Sequence, residues 1–213
     1  MKKAIIFDMD GLMIDSERVT YEEYVSKLKQ LGHEFNEEIY RQCLGKNKMG
    51  VYGVFNRHYG QTFPMDEVWD DVHVSLDSRL QQNAPLKKGI IELLTYLKEN
   101  GYKTMVATSS YRARAEMILT SANILKHFDG MICGDEVTCG KPNPEIFLKA
   151  CEKIGVTPDE ALVLEDSEAG ITAAHSANID VICVPDMKYP DQEFVNKTVK
   201  IVESLLQVID YLS

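Results

Sequence analysis

No stretch of this 213-residue chain approaches the roughly 20 consecutive apolar residues that a bilayer span requires. The opening Met-Lys-Lys-Ala-Ile-Ile-Phe meets Asp8 after four apolar residues, too few for the apolar core of a secretion signal. A disulfide or metal-binding cysteine framework is missing too. Cys43, Cys133, Cys139, Cys151 and Cys183 are odd in number, hold no Cys-x-x-Cys pair and have no histidine cluster at ligand spacing beside them. They read as reduced, mostly buried thiols of a cytoplasmic protein. Positive charge is scarce: 23 Lys and Arg stand against 33 Asp and Glu, for a net charge of -10. Nucleic acid and anionic membrane are therefore poor partners, because either polyanion would be repelled over most of the surface. An anionic substrate has to be drawn in by local groups, and the acidic surface is compatible with a monomer. The five histidines are scattered without metal or triad spacing and read as structural, and the single tryptophan, Trp69, reads as a core residue of its own region or else as an aromatic near a sugar site.

What the chain does hold is 45% hydrophobic residues, enough for a proper core in one domain with a sizeable insertion. Lys3 to Phe7 is a short apolar run of the kind a parallel strand shows when both its faces are covered. The signature returns at Thr104-Met105-Val106-Ala107, Gly130-Met131-Ile132-Cys133, Ala161-Leu162-Val163-Leu164 and Val181-Ile182-Cys183-Val184. Helical patterns lie between the runs. One carries Ile90, Ile91, Leu94 and Leu97 and stops at Asn100-Gly101; another opens at Asn143-Pro144-Glu145 as cap, first-turn proline and first-turn acid. Alternating strand and helix predicts an α/β fold, a Rossmann-like doubly wound parallel sheet. From Ser16 to Asn83 the rhythm breaks and only helical patterning remains, as at Tyr21, Tyr24, Val25, Leu28 and Leu31 before Gly32. The expectation is a core domain of residues 1–15 and 84–213 with an inserted helical cap domain at residues 16–83.

Ligands of parallel α/β sheets bind beyond the carboxyl ends of the strands, so the residues just after each apolar run are the ones to inspect. Asp8, Asp10 and Gly11 follow the first run, Thr108, Ser109 and Ser110 the second; Lys141 stands in Gly140-Lys141-Pro142 beyond the third, and Glu165, Asp166 and Ser167 follow the fourth. In an extended segment Asp8 and Asp10 would share one face. Gathering Asp8, Asp10, Glu165 and Asp166 without a cation would cost several kcal/mol in repulsion and desolvation, which implies an oxygen-ligated divalent metal, Mg2+. A phosphate group fits the remainder, with Lys141 neutralising its charge and Thr108, Ser109 and loop amides donating to its oxygens.

Phe7-Asp8-Met9-Asp10-Gly11, Thr108, Gly140-Lys141-Pro142 and Glu165-Asp166-Ser167 resemble, in order and spacing, the four motifs of the haloacid dehalogenase superfamily. The helical insertion is similar to the cap of the branch containing β-phosphoglucomutase and small sugar-phosphate phosphatases. The resemblance implies that Asp8 attacks phosphorus to give an aspartyl-phosphate, and that Asp10 protonates the leaving oxygen and then activates water. It also implies that the Asp8 side chain, the Asp10 backbone carbonyl and Asp166 hold Mg2+, with Glu165 helping directly or through water. Thr108, Ser109, Ser110 and Lys141 would bind the phosphate, and Lys48, or else Lys46, would reach the distal part of the ligand from the cap. Asp10 favours a phosphate ester over a halide, because an alkoxide needs a leaving-group proton. The implied activity is a phosphatase acting on a small phosphorylated metabolite. The alternative is a phosphosugar mutase, against which stand Thr20, where β-phosphoglucomutase carries a cap-side histidine, and the lack of lysine between residues 49 and 86. A non-enzymatic phospho-accepting module resembling a response-regulator receiver is disfavoured by the insertion and by the position of Asp8 on the first strand.

Overall fold

The computed structural model describes residues 2–213. Six parallel strands, β1 (Ala4–Phe7), β2 (Lys103–Ala107), β3 (Gly130–Ile132), β4 (Ala161–Glu165), β5 (Asp180–Cys183) and β6 (Lys200–Ile201), form one sheet in the order β3-β2-β1-β4-β5-β6. Ten α-helices accompany them among the described residues. Four lie between residues 16 and 83: α1 (Ser16–Gln30), α2 (Glu37–Arg41), α3 (Lys48–Tyr59) and α4 (Met65–Gln82). The others are α5 (Ile90–Glu99), α6 (Arg112–Ser121), α7 (Glu145–Ile154), α8 (Glu168–Ser176), α9 (Gln192–Val195) and α10 (Leu206–Leu212).

The unbroken apolar character of β1 has a direct cause. Side chains alternate across the sheet, so Ile5 and Phe7 enter a cluster with α5, α6 and α10, while Ala4 and Ile6 enter a second cluster with α7 and α8. Both faces are dry, and neither tolerates polar alternation. Each fully buried Ile, Leu or Phe contributes about 1.5–3 kcal/mol of transfer free energy. The doubly wound α/β prediction matches this architecture. The two-residue edge strand β6 and α10 were not foreseen, although Leu205, Val208, Ile209 and Leu212 stand at helical spacing and pack on the α5 side of the sheet. The helix expected at Asn143-Pro144-Glu145 starts at Glu145, with Asn143 Oδ1 accepting from the Glu145 amide at 3.0 Å.

Helices α1 to α4 surround a third cluster rich in aromatic rings, among them Tyr24, Phe35, Tyr40, Phe55 and Phe63. Val19, Leu76 and Leu80 join the sheet-side cluster instead, so α1 and α4 carry both interfaces. Where the chain leaves and re-enters the sheet region, its two passes are bonded to each other: the Asp15 amide donates to Pro85 O and the Lys87 amide to Met13 O, each at 2.9 Å. Among the described residues no disulfide forms; Cys139 is exposed and the other four thiols are buried. No helix of the described residues is long and apolar enough to cross a membrane.

Candidate active site

β1 stops at Phe7 because the chain turns: Gly11 has φ +82° and occupies a conformation that L side chains rarely adopt. A Cβ on Gly11 would lie 2.3 Å from Asp166 Oδ2, so this glycine also makes room for a carboxylate from the end of β4. The turn changes what the spacing of Asp8 and Asp10 alone suggests. They do not share one strand face, and their carboxylates take different partners. Asp8 is buried, its amide donating to Leu164 O at 3.1 Å and its Oδ1 accepting from Lys141 Nζ. The Asp10 carboxylate accepts from Ser110 Oγ at 2.9 Å and from Arg114 Nη1 at 3.1 Å.

Three of the four acids gather. Asp8, Glu165 and Asp166 each offer an oxygen within 4.8 Å of one another. Glu165 is fully buried and its oxygens are engaged: Oε1 accepts from Lys141 Nζ at 2.6 Å, and Oε2 from the Asp166 and Ser167 amides at 3.1 Å and from Ser167 Oγ at 2.9 Å. Ser167 Oγ in turn accepts from the Gly170 amide at 3.1 Å and caps α8. Gly170 cannot carry a side chain, since a Cβ there would fall 1.8 Å from Glu165 Oε1. The Asp166 carboxylate receives no hydrogen bond from any described residue. Burial first, then the charge of Glu165 beyond the opposing pull of Lys141, pushes the Asp8 carboxyl up to about 7. Burial and the charges of Glu165 and Asp8 raise Asp166 well above the usual carboxylate range. This donor set fits a hard divalent cation: oxygen ligands, excess negative charge, and one carboxylate left open.

Lys141 arrives from the loop before α7, its side chain only 5% exposed, and also donates to Ala107 O at 3.0 Å. Burial opposes its charge, but Asp8 and Glu165 more than offset that and hold its pKa above the ordinary value. Thr108 is buried, its Oγ1 accepting from the Ser110 amide at 3.1 Å, while Ser109 is exposed toward the cleft. Ser110, expected at the phosphate, has its hydroxyl on Asp10.

These groups floor a cleft of about 1010 Å³ between the sheet's carboxyl edge and the first four helices. Lys46, Lys48, Trp69 and His73 line its opposite wall. Lys48 Nζ lies 5.5 Å from the Trp69 ring centroid, and Trp69 stacks on His73 at 4.0 Å. Trp69 packs on the α1–α4 cluster, as a core reading expects, and also lines the cleft; His73, which stands at no metal or triad spacing in the sequence, lines it beside Trp69. Their i, i+4 spacing on α4 was the available signal. A smaller adjoining cavity of about 440 Å³ runs from Asp10 past Glu17, Thr20 and Tyr40. Thr20 Oγ1 is spent on Ser16 O at 2.8 Å. Arg114, Glu17, Glu168, Asp186 and Lys188 are charged residues lining these cavities that the motifs did not signal.

Glu17 accepts from Tyr40 Oη, and burial pushes its carboxyl up to about 6, against the lowering effect of that bond. A raised acid contributes stability that is full below its unfolded value, 4.5, and lost as pH rises through about 6. Glu17→Gln, which keeps an acceptor for Tyr40, is expected to melt above the parent at pH 8 by the equivalent of about 1–2 kcal/mol. The gain should vanish near pH 4; thermal melts at both values check it, and equal melting temperatures at pH 8 would refute the shift.

The sequence pattern of haloacid dehalogenase-like hydrolases matches residues 5–184. The phosphorylated carbohydrates phosphatase of Thermotoga maritima is 31% identical over 180 residues, covering 84% of this chain and 83% of its own. The validoxylamine A 7'-phosphate phosphatase of Streptomyces hygroscopicus subsp. limoneus is 30% identical over 209 residues, 98% of this chain and 96% of its own. Among solved structures, CbbY from Rhodobacter sphaeroides in complex with phosphate aligns with a TM-score of 0.77 at 25% identity, over 98% of this chain and 96% of that one. The fold and the cleft define a doubly wound α/β protein with an acidic cleft at the carboxyl edge of its parallel sheet. The chain belongs to the haloacid dehalogenase-like hydrolase family.

Proposed function

We propose that this phosphoric monoester hydrolase is a Mg2+-dependent phosphatase of a small phosphorylated metabolite, a sugar phosphate, working through an aspartyl-phosphate on Asp8. One observation carries the reading: a buried carboxylate at the end of β1 lies against a buried lysine and two further acids, one of them undonated. The Asp8 carboxylate, the Asp10 backbone carbonyl and Asp166 would hold the metal. Glu165, whose oxygens are already engaged, orients Lys141 and the Asp166 loop. When bound, Mg2+ supplies charge that offsets the phosphoryl oxygens and the clustered carboxylates. Asp8 attacks phosphorus as the ester P–O bond breaks. The electron pair leaves with the ester oxygen, which takes the Asp10 proton. Asp10 then removes a proton from the water that attacks the phosphoryl group, freeing Asp8 and phosphate. Lys141 and Thr108, with Ser109, bind the phosphoryl oxygens. Residues 16–83 act as a cap over the cleft, with Lys48 or Lys46 meeting the distal hydroxyls or charge of the substrate.

The test is a panel of sugar phosphates and other phosphomonoesters assayed for free phosphate and for isomer, with Mg2+ and with chelator. Mg2+-dependent phosphate release from a small number of sugar phosphates is expected, with loss of turnover of about 10²-fold or more on chelation. Undiminished turnover in chelator would sink the metal assignment, and isomer formed faster than free phosphate would sink hydrolysis as the activity.

A further inference from the structure

Arg114 occupies a position that neither the sequence motifs nor the proposed reaction uses. It projects from the first turn of α6, and its guanidinium makes contacts in two directions. Nη1 donates to Asp10 Oδ2 at 3.1 Å and to Ser110 Oγ at 2.7 Å, while Nε donates to Asp77 Oδ1 on α4 at 2.9 Å. Ser110 Oγ itself donates a hydrogen bond to Asp10 Oδ2 at 2.9 Å, closing a three-membered set around one carboxylate. The arginine is about three-quarters buried, with a side-chain exposure of 25%, and α4 packs on α6 around it. A planar fork with several donors suits a bridge of two carboxylates from different elements, which a single ammonium could not span with the same geometry.

We infer that Arg114 is a positioning residue that fixes the Asp10 carboxylate and ties it through Asp77 to α4, so that the seating of the first four helices sets the aim of the proton donor. Asp10 is otherwise held by one serine hydroxyl on a turn next to a glycine, and a carboxylate so placed has rotational freedom about its own side chain. Proton transfer to a leaving oxygen requires hydrogen-bond reach and alignment, and a misaimed acid loses most of its effect. Asp77 stands on α4 and Asp10 on the turn after β1, and the Arg114 guanidinium touches both. This inference rests on the proposed role of Asp10.

The experiment compares kcat/KM for 4-nitrophenyl phosphate, phenyl phosphate and the best sugar phosphate of the panel, in the parent and in Arg114→Gln, Arg114→Lys, Asp77→Asn and Asp10→Asn. A nitrophenolate departs with little help from an acid, whereas phenolate and above all an alkoxide need the proton. Arg114→Gln is expected to lose about tenfold or more on the sugar phosphate and severalfold less on 4-nitrophenyl phosphate, in the same sense as Asp10→Asn. Arg114→Lys keeps the charge and secures the result should the glutamine variant fold poorly; it is expected to fall between. Asp77→Asn should show the same leaving-group slope, more weakly. If Asp10→Asn shows the slope and Arg114→Gln and Arg114→Lys lower all esters by one common factor, the positioning role is overturned while the reaction stands. If Asp10→Asn itself shows no slope, the acid assignment fails and the inference with it. A parent-like Asp77→Asn overturns the link to α4.

Discussion

Asp8→Asn is expected to eliminate phosphate release, by about 10⁴-fold or more, in a protein that stays folded. The substitution conserves volume, and the amide oxygen still accepts from Lys141, but the charged carboxylate that would bond to phosphorus is gone. Stability should move the other way in metal-free buffer. The folded Asp8 carboxyl lies near 7, above its ordinary 3.8, because burial and Glu165 disfavour the charge. Its contribution is therefore full below about 3.8 and lost as pH rises through about 7. The parent, chelated, should lose melting temperature between pH 5 and 8, and Asp8→Asn should lose less. Mg2+ should restore the parent and leave the variant little changed. Circular dichroism melts with and without Mg2+ check this beside the activity assay. Near-parental turnover in a folded Asp8→Asn protein would refute the nucleophile assignment.

Lys141→Ala is expected to cost more in folding than in any other single test described, roughly 3–5 kcal/mol, because it leaves buried acids without their cation. Asp8 and Glu165 would face each other across the vacated ammonium, with Asp166 nearby, and Glu165 has no exposed surface through which water could compensate. At this chain length each kcal/mol lowers the melting temperature by about 2–4 °C, so a drop on the order of 10 °C follows. Turnover should fall with it, since the proposed reaction uses the same ammonium to hold the phosphoryl oxygens. Adding Glu165→Gln removes one of the stranded charges and should return part of the lost stability. A single variant melting within a degree of the parent, or a double variant no better than the single, would contradict the account of this pair.

The strands of the sheet were legible because their faces are both covered, which forces runs such as Ala4-Ile5-Ile6-Phe7 and Ala161-Leu162-Val163-Leu164. The site residues were legible for a related reason: a parallel sheet delivers every strand's carboxyl end to one edge, so position in the chain reports position in space. Asp8, Thr108, Lys141, Glu165 and Asp166 meet there. That logic ends one turn past the strand. Gly11 redirects the chain, so Asp10 looks toward α6 and not into the acidic nest, and Glu165 spends its oxygens on Lys141 and its own loop.

By itself, then, the amino-acid order determined the α/β class, the all-helical stretch between residues 16 and 83, and a set of acids, hydroxyls and one lysine at the sheet edge, because each follows from burial pattern and from position at the strand ends. Tertiary structure alone decided the partners. Arg114 and Asp10 lie 104 residues apart and meet because α4 packs on α6, and Trp69 and His73 share one cleft wall with Lys48. Such pairings depend on how helices seat against one another, and nothing local in the sequence around Arg114, Asp77 or Trp69 encodes that seating.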